Sequence, residues 1–453
     1  MARKSVHHAL FPSFLRIFVA KNIYCMAYSQ NEYRRLGERI RKDPENIKDQ
    51  DLQMLQELRL SYKDDLSAVF NVMVGEASKI DKKSIRTYRV KRIESIVSKL
   101  LREPGMQLQR MSDVAGCRCI MQSDKQVFSL FERLKKKFTI KHFNDYITKP
   151  KDTGYKSLHL IVQPSENSKR TIEIQLRSVE EHNWATLVEI TDLLYHTKLK
   201  ETGTGHELSE FHKLLSIETT RLDVEQKKKL IKIAKKYNYF FRISEIFSKN
   251  YMEVRDLWNK SRQSYDNFFL VSTGDDGKPE ISTYRSFDKA EEEYFIKYNE
   301  NKANKNIVLT HISNATFEDI SMAYSNYFLT YNALFFNCHK VISDLVVDAY
   351  RQHNCYSFYK MYKYFWEITI HMLGVHTRDL IELQHKKLVV QSIKKKSQWM
   401  RSIQDHIGNI ANVFNKTNTE LNKCKHHFIC SLIRSWVFNK YAHKEIIPYK
   451  AKN

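Results

Sequence analysis

Long apolar runs are missing from this sequence of 453 residues. No stretch approaches the roughly 18 uninterrupted apolar residues of a membrane-spanning helix, and Arg16 interrupts the apolar N-terminal stretch. Cysteines are also few. The seven present are scattered and form no closely spaced even set, which argues for free thiols in a reducing compartment. We therefore expect a soluble, cytoplasmic protein without membrane contact.

Acidic residues are in deficit, with 52 Asp and Glu against 75 Lys and Arg, so the formal net charge is +23. Such a balance favours polyanionic partners, which could be nucleotides, RNA or an anionic membrane surface. Charge alone does not choose among these partners. The length exceeds that of one ordinary domain, so roughly two to four domains are expected.

Changes in composition divide the chain into segments. Glycine and proline are nearly absent from the last of them, which has long helical patterns rich in Tyr, Phe, Lys and His and is typical of a helical bundle. The predicted segments are 1–25, a candidate non-native extension before Met26; 26–200, the main domain with N-terminal helices; 201–262, a basic helical connector; 263–335, a small α/β module; and 336–453, a basic, aromatic-rich helical region.

Hydrophobic periodicity predicts a mixed β-sheet flanked by helices within the main domain. Helices are predicted at 51–73, 88–101, 125–137 and 179–196, and strands at 114–121, 157–162 and 171–177. In the small module, strand patterns flank the turn sequence GDDGK at 274–278, which predicts a hairpin. A helix at 288–302, a strand at 306–313 and a helix at 317–324 are predicted to follow.

Cations recur along the helix predicted at 88–101. Lys91, Ser95 and Lys99 are four residues apart, so they are expected on one face, with Arg89 at the helix entrance. Such a row can hold a triphosphate. The alternative is an ordinary solvated helix face, because most charge runs are only that.

A lone carboxylate, Asp113, precedes an otherwise apolar strand pattern. An unpaired buried carboxylate is costly, and Mg²⁺ is a reasonable partner for it. The alternative is an Asp that caps a turn. Because Arg118 follows after an odd interval, Asp113 is expected to precede the regular strand, or a bulge intervenes.

Two further motifs carry polar groups, and the second of them also carries an aromatic ring. In TIEIQLRS (171–178), alternation places Glu173, Gln175 and Arg177 on one face of a strand, as in any strand with one wet face. In the loop 145–159, two lysines supply cations, a glycine permits a tight turn and Tyr155 offers an aromatic face. Ordinary packing is the alternative for that ring.

In order and spacing, YRVKRIESIVSK (88–99), SDVAGCRCIM (112–121), DYITKPKDTGYKSLH (145–159) and TIEIQLRS resemble the motifs of the RelA/SpoT alarmone synthetases. The resemblance covers about a quarter of the chain. It implies an α+β, nucleotidyltransferase-like fold. It also implies Mg²⁺-dependent transfer of pyrophosphate from ATP to the 3′-hydroxyl of GDP or GTP.

The resemblance also implies roles for individual residues. Asp113 and Glu173 would be catalytic and would hold Mg²⁺; Arg89, Lys91, Ser95, Lys99 and Arg118 would bind ATP; Lys149, Lys151, Tyr155, His159, Gln175, Arg177 and His182 would bind the acceptor nucleotide. Asp152 and Thr153 stand where the family loop commonly has Pro and Asn. The identity of the acceptor is therefore the least constrained part of this prediction.

Other sequence features bear on the hydrolase activity, on alternative functions and on metal binding. No adjacent His-Asp pair occurs, so we expect synthesis without the hydrolase of the long family members. The basic C-terminal region, including 386–401, keeps open a tRNA 3′ end as acceptor, and a catalytically inactive nucleotide- or RNA-binding module is a further alternative. Cys424, His426, His427 and Cys430 fit no standard zinc-finger spacing, so no metal is expected there.

Overall fold

The protein is described by a computed structural model. It describes residues 28–197, 199, 206–242, 266–273, 279–300, 307–315, 319–320, 333–385 and 393–442. The candidate extension 1–25, the turn sequence at 274–278, most of the helix predicted at 317–324 and the first part of the basic stretch at 386–401 lie outside these residues.

Within the described residues, eight strands form one mixed sheet in the order β3-β4-β5-β2-β1-β8-β6-β7. Neighbouring strands are antiparallel except for β2 and β5, which are parallel. The strands are β1 (Ile85–Val90), β2 (Ala115–Met121), β3 (Thr139–Asp145), β4 (Leu158–Gln163), β5 (Ile172–Ser178), β6 (Phe268–Thr273), β7 (Pro279–Tyr284) and β8 (Val308–His311). The predicted fold class, a mixed sheet flanked by helices, is confirmed.

Helices flank this sheet and continue beyond it. They are α1 (Gln30–Lys42), α2 (Asp49–Leu60), α3 (Lys63–Ser78), α4 (Ile93–Arg102), α5 (Asp124–Lys135), α6 (Val179–Tyr195), α7 (Glu207–Leu215), α8 (Val224–Lys236), α9 (Phe287–Glu300), α10 (Ala333–Arg351), α11 (Cys355–His385), α12 (Ile393–Lys423) and α13 (Phe428–Ala442). The predicted C-terminal helical region is therefore present. None of the helices in the described part of the chain combines the length and the apolar character of a membrane-spanning segment.

Two predicted helices are wrong in their extent. The helix predicted at 51–73 is two helices, because the chain turns at Ser61 and Tyr62 between α2 and α3. The helix predicted at 88–101 begins only at Ile93, because the preceding residues form β1 between β2 and β8. Ladder hydrogen bonds to two neighbouring strands outweigh the helical spacing of the apolar residues here.

The predicted α/β module shares its sheet with the main domain. Its hairpin strands β6 and β7, its helix α9 and its strand β8 form as predicted, but β8 pairs with β1. Tyr88 of β1 is fully buried, stacks edge-on against Tyr294 of α9 with ring centroids 5.3 Å apart, and donates a hydrogen bond to Glu291 over 2.7 Å. The module therefore packs into the same core as β1, while the domain boundaries stay a prediction.

A second core lies among the helices that follow the sheet. Aromatic side chains of α11 such as Phe358 and Phe365 are fully buried there, and they pack together with residues of α6, α7, α8 and α10. Lys227 of α8 contacts Asp344 of α10 with 2.7 Å between Nζ and Oδ2. The helical region is thus packed onto the end of the main domain.

Two buried histidines in this second core predict acid sensitivity. Burial lowers the pKa of both His212 and His339 to about 3, and each ring contacts a threonine hydroxyl. Each histidine has a lower pKa in the folded state than in the unfolded state, where it is about 6.5. As the pH falls below about 6.5, the unfolded state binds a proton that the folded state does not, so the free energy of unfolding decreases. By pH 5 the loss should be about 2 kcal/mol per histidine.

The measurement is urea unfolding of the wild type and His339→Gln at pH 7 and pH 5. Glutamine keeps a hydrogen-bonding group but does not titrate, so the variant should lose about 2 kcal/mol less between the two pH values. His426→Gln, at an exposed histidine, is the matched control and should follow the wild type. An equal pH response in His339→Gln and wild type would contradict the prediction.

Candidate active site

Asp113 precedes β2 by two residues, as predicted for a position ahead of the regular strand, and its carboxylate lies between two lysine ammonium groups. Its Oδ2 is 2.5 Å from Lys91 Nζ and its Oδ1 is 3.0 Å from Lys99 Nζ. Burial would raise the pKa of Asp113, but the two ammonium groups outweigh it and hold this pKa below its usual value. Asp113 is therefore an ionised carboxylate within a cationic cluster.

The two lysines that contact Asp113 come from different elements and do not share one helix face. Lys91 lies between β1 and α4, and its backbone N–H donates to Val114 over 2.8 Å, while Lys99 lies on α4. Arg89 is exposed on β1, and Ser95 lies one turn before Lys99. The predicted shared helix face was thus wrong for Lys91, and Arg89 lies on a strand rather than at the helix entrance. Lys91 and Lys99 nevertheless converge, because the end of β1 and the side of α4 both adjoin Asp113.

A second polar cluster lies on β4 and β5. Glu173 and Gln175 are partly exposed on one face of β5, and the alternating apolar residues are fully buried on the other. His159 of β4 lies opposite Gln175 in the register, and its Nδ1 is 2.8 Å from Glu173 Oε1. The strand pairing thus places an imidazole against the carboxylate that the sequence singled out.

Tyr155 extends this cluster through its hydroxyl group. Its oxygen accepts hydrogen bonds from Gln175 Nε2 at 2.9 Å and Arg177 Nη2 at 2.7 Å, and lies 2.7 Å from His159 Nε2. Burial would raise the pKa of Tyr155, but Arg177 and His159 lower it to about 7. Glu173, His159 and Tyr155 therefore form one hydrogen-bonded chain.

The charged forms of the groups in this hydrogen-bonded series stabilise one another. Burial would raise the pKa of Glu173, but the hydrogen bond and charge of His159 bring it below its usual value. Burial would lower the pKa of His159, but Glu173 and Tyr155 raise it above its usual value. Each shift favours the charged form of its group, the carboxylate of Glu173 and the imidazolium of His159.

Both clusters line one surface depression. Arg118 of β2 connects them, because its Nε donates to Gln175 Oε1 over 2.7 Å. The lining residues are Thr87, Arg89, Lys91, Asp113, Gly116, Cys117, Arg118, Glu173 and Gln175. A Cβ at Gly116 would lie 2.8 Å from the carbonyl oxygen of Glu173, so a glycine is needed where β2 and β5 meet.

The two carboxylates of the depression suit a divalent cation. The charge of Asp113 raises the pKa of Glu173, so the two groups repel each other across the site. Each carboxylate oxygen can accept two partners, so the lysine contacts of Asp113 leave acceptor capacity. Mg²⁺ is commonly held by one or two carboxylates together with substrate phosphates. The residues present therefore fit this ion.

The predicted acceptor loop surrounds Tyr155 with cations and rings. Lys151 Nζ lies 4.6 Å from the ring centroid of Tyr146 and 5.4 Å from that of Tyr155, and the Arg177 guanidinium lies 5.0 Å from the latter. Trp184 packs edge-on against the same ring and is buried. The ring is half-buried, with its edge in the second core and its hydroxyl in the polar cluster.

The remaining predicted acceptor residues lie in different surroundings. Lys149 is exposed in the turn that follows β3, whereas His182 is only 2% exposed in the first turn of α6. Sequence reasoning also missed Tyr146, whose ring packs against Tyr155 and His159, and Gly116. A glycine inside a strand pattern was the available signal for the second of these.

The turn at Gly154 predicts a large effect of a single methyl group. Its φ is +87°, and an added Cβ would overlap the Ser216 side chain at the end of α7. We expect Gly154→Ala to lower the free energy of unfolding by about 1–3 kcal/mol. Gly105→Ala is the matched control, since nothing lies within 4 Å of its added Cβ. Urea unfolding of both variants tests this.

The overlap and the backbone strain at this turn can be separated. Ser216→Gly in the Gly154→Ala background removes the overlapping side chain but leaves the unfavourable φ. We expect this double variant to recover part of the lost stability. Equal stability of Gly154→Ala and Gly105→Ala would contradict the role given to the turn.

Comparison with known proteins places the site in context. Residues 88–200 match the family model described as the region found in RelA/SpoT proteins. The chain is 33% identical over 124 residues to GTP pyrophosphokinase YjbM of Bacillus subtilis, and 35% identical over 112 residues to GTP pyrophosphokinase YwaC of the same organism. These matches cover 25% and 22% of this chain and 59% and 53% of the relatives, so the chain spans just over half of their length.

Solved structures of similar proteins include small alarmone synthetases. One is small alarmone synthetase 1 from Bacillus subtilis bound to its product pppGpp, with 25% identity, a TM-score of 0.31 and coverage of 38% of this chain and 94% of that chain. Another is small alarmone synthetase 2 from the same organism, with 28% identity, a TM-score of 0.31 and coverage of 39% and 96%. The resemblance predicted from the four sequence motifs is confirmed for residues 88–200.

Proposed function

We propose that the RelA/SpoT region of this chain, residues 88–200, transfers pyrophosphate from ATP to the 3′-hydroxyl of GDP or GTP. The observation that carries the proposal is the depression in which Asp113 and Glu173, both held ionised, share a surface with Arg89, Lys91 and Arg118. Cations for a triphosphate and two carboxylates in one site suit phosphoryl-type transfer, where alignment and charge neutralisation supply most of the catalysis.

Binding of the donor, ATP, is assigned to the cluster around Asp113. Lys91 and Lys99 now neutralise Asp113, and their ammonium groups can turn to the phosphates of ATP when the nucleotide enters. Arg89 and Arg118 add positive charge along the same wall of the depression. Asp113 and Glu173 would hold Mg²⁺, which supplies the charge that offsets the phosphate oxygens.

The acceptor nucleotide is assigned to the hydrogen-bonded group of Glu173, His159 and Tyr155. The 3′-oxygen of the acceptor forms a bond to the β-phosphorus of ATP, the bond from that phosphorus to the α-β bridging oxygen breaks, and AMP leaves with that oxygen. The proton of the 3′-hydroxyl passes to the Glu173 carboxylate, which His159 orients through its 2.8 Å contact. Glu173 is thus the proposed base and His159 a positioning residue.

Tyr155 is the proposed platform for the guanine ring. Its hydroxyl is tied to Gln175, Arg177 and His159, which holds the ring at a set angle beside the proposed base. Lys151 lies over the same ring, so a stacked base would sit close to a cation. The relatives named GTP pyrophosphokinase support a guanine nucleotide as the acceptor.

The experiment that tests the proposal is a product assay with the full chain. The protein is incubated with Mg²⁺, ATP labelled in the β-phosphate, and GDP, GTP or tRNA in separate reactions. We expect labelled guanosine products with an equal amount of AMP, and no product after chelation of the metal. Label on tRNA alone would replace the proposed acceptor, and ATP binding without AMP release under every condition would overturn the reaction.

A further inference from the structure

Two cysteines and a histidine from distant parts of the chain meet in the C-terminal helical region. Cys355 begins α11, His427 directly precedes α13, and Cys430 lies in the first turn of α13. Their sulfur and nitrogen ligand atoms all lie within 4.8 Å of one another. These residues play no part in the proposed pyrophosphoryl transfer.

The distances within this group match those around a tetrahedral metal ion. Cys355 Sγ is 3.3 Å from Cys430 Sγ and 3.8 Å from His427 Nδ1. With metal–sulfur bonds of about 2.3 Å and metal–nitrogen bonds of about 2.0 Å, a tetrahedral zinc ion separates two sulfurs by about 3.8 Å and a sulfur from a nitrogen by about 3.5 Å. These two distances differ from the tetrahedral values by about 0.5 and 0.3 Å, and the remaining pair, Cys430 Sγ and His427 Nδ1, lies within 4.8 Å.

The surrounding backbone is built to bring the two helix connections together. Two residues after the end of α10, His353 is left-handed with φ +54°, and the following Asn354 N–H donates to the carbonyl of Ala349 over 3.0 Å. This ending leaves Cys355 at the first position of α11. The His353 ring stacks on His427, with ring centroids 4.5 Å apart and ring planes at 20°.

Further contacts tie the same two regions next to the cluster. Tyr350 of α10 and Ser431 of α13 share a hydrogen bond of 2.9 Å, and Arg351 contacts Glu420 of α12 over 3.2 Å. Cys430 is fully buried. The cluster thus lies where α10, α11, α12 and α13 come together. A metal bound there would link the connection between α10 and α11 to the connection between α12 and α13.

We propose that Cys355, His427 and Cys430 bind a zinc-class divalent cation that braces the C-terminal helical region. Thiolate and imidazole ligands suit such an ion, and the neighbouring imidazole of His353 or a water molecule can complete a tetrahedral site. Binding converts the two thiols to thiolates and releases two protons to solvent. The Cys430 N–H, now 3.3 Å from His427 Nδ1, then turns toward a thiolate sulfur.

This site differs from the set of residues considered in the sequence. Cys424 and His426 are near in sequence, but Cys424 Sγ donates to the carbonyl of Glu420 over 3.2 Å and His426 is exposed. Cys355 is 72 residues from His427. The expectation that no metal binds was based on spacing within 424–430, which could not include Cys355.

A disulfide between Cys355 and Cys430 is the competing outcome for this pair. Their sulfurs are 3.3 Å apart, well beyond the bond length of about 2.05 Å. A disulfide would also leave His427 without a role in the cluster. The sulfur separation and the adjacent imidazole therefore favour the metal, and the two outcomes are distinguished by experiment.

The test is a Co²⁺ titration of the full chain, stripped of metal by a chelator and kept reduced. Cobalt bound by thiolates gives ligand-to-metal absorption and tetrahedral d–d bands, so we expect saturation at one equivalent per chain and loss of the bands on addition of Zn²⁺. Cys355→Ser, Cys430→Ser and His427→Gln should each weaken binding at least tenfold. Cys424→Ser and His426→Gln are matched controls and should bind as the wild type does.

The wild-type titration decides the matter even where a variant fails to fold. Absence of the cobalt bands in the reduced wild type would overturn the proposal, as would binding that depends on Cys424 rather than on Cys355. An intact mass two hydrogens lower without reductant, together with no metal uptake after reduction, would establish the disulfide in its place. Metal uptake with no change in pyrophosphoryl transfer supports a structural site and leaves the proposed activity untouched.

Discussion

Glu173→Gln should reduce the turnover of pyrophosphoryl transfer by about 10²–10⁴-fold, the range expected when a general base is lost. Glutamine has the size of glutamate and keeps an oxygen that can accept from His159 Nδ1, so β5 and its pairing with β4 should remain intact. The loss should fall on kcat, with KM for ATP and for the acceptor changed little, because the proton acceptor acts in the transition state.

A second readout distinguishes loss of the base from a general structural defect. Glu173 raises the pKa of His159, so Glu173→Gln should lower that pKa, as followed by NMR of the histidine ring. Glu166→Gln removes an exposed carboxylate between β4 and β5 and is the matched control for the charge change. Wild-type turnover in Glu173→Gln, or an unchanged His159 pKa, would remove Glu173 from the proposed role.

Asp113→Asn should reduce turnover by about 10²–10³-fold, the effect of removing one electrostatic element from a preorganised site. The neutral amide cannot serve Mg²⁺ as a carboxylate does, and it leaves Lys91 and Lys99 without the counter-charge that both now contact. We therefore also expect a rise of at least tenfold in the Mg²⁺ concentration needed for half-maximal rate. The measurement is a Mg²⁺ titration of the initial rate.

The control for this variant is Asp124→Asn, which removes an exposed carboxylate in the first turn of α5. It should leave both the rate and the Mg²⁺ requirement close to wild type. Acceptor binding should be unchanged in Asp113→Asn, because the Tyr155 cluster is on other strands. If the rate falls while the Mg²⁺ requirement stays the same, Asp113 orients the lysines rather than the metal.

The four motifs single out the candidate site residues because their information is local. Strict alternation in 172–178 places Glu173 and Gln175 on one face of β5 whatever lies beside the strand. A carboxylate ahead of an apolar strand, at Asp113, and a glycine in a polar loop, at Gly154, are equally readable. The end of α4 near Arg102 and both limits of α5, near 124–135, follow from similar short-range patterns.

The predicted helix at 88–101 shows where local information ends. Its apolar spacing allows either a helix or a strand at its start, and the choice falls to β1 because β2 and β8 pair with it on both sides. The hydrogen bond from Tyr88 to Glu291 spans 203 residues. No pattern within a window of one element contains that partner.

The sequence by itself determined the set of chemical groups, the alternation of β5 and the position of Asp113 before β2. Only the tertiary structure decided that Lys91 meets Lys99 at Asp113, that β8 extends the sheet through β1, and that Cys355 lies beside Cys430. The physical reason is the distance along the sequence over which each kind of interaction acts. Periodicity and turn chemistry act between neighbours along the chain, whereas strand pairing and core packing bring together residues whose separation in sequence carries no signal.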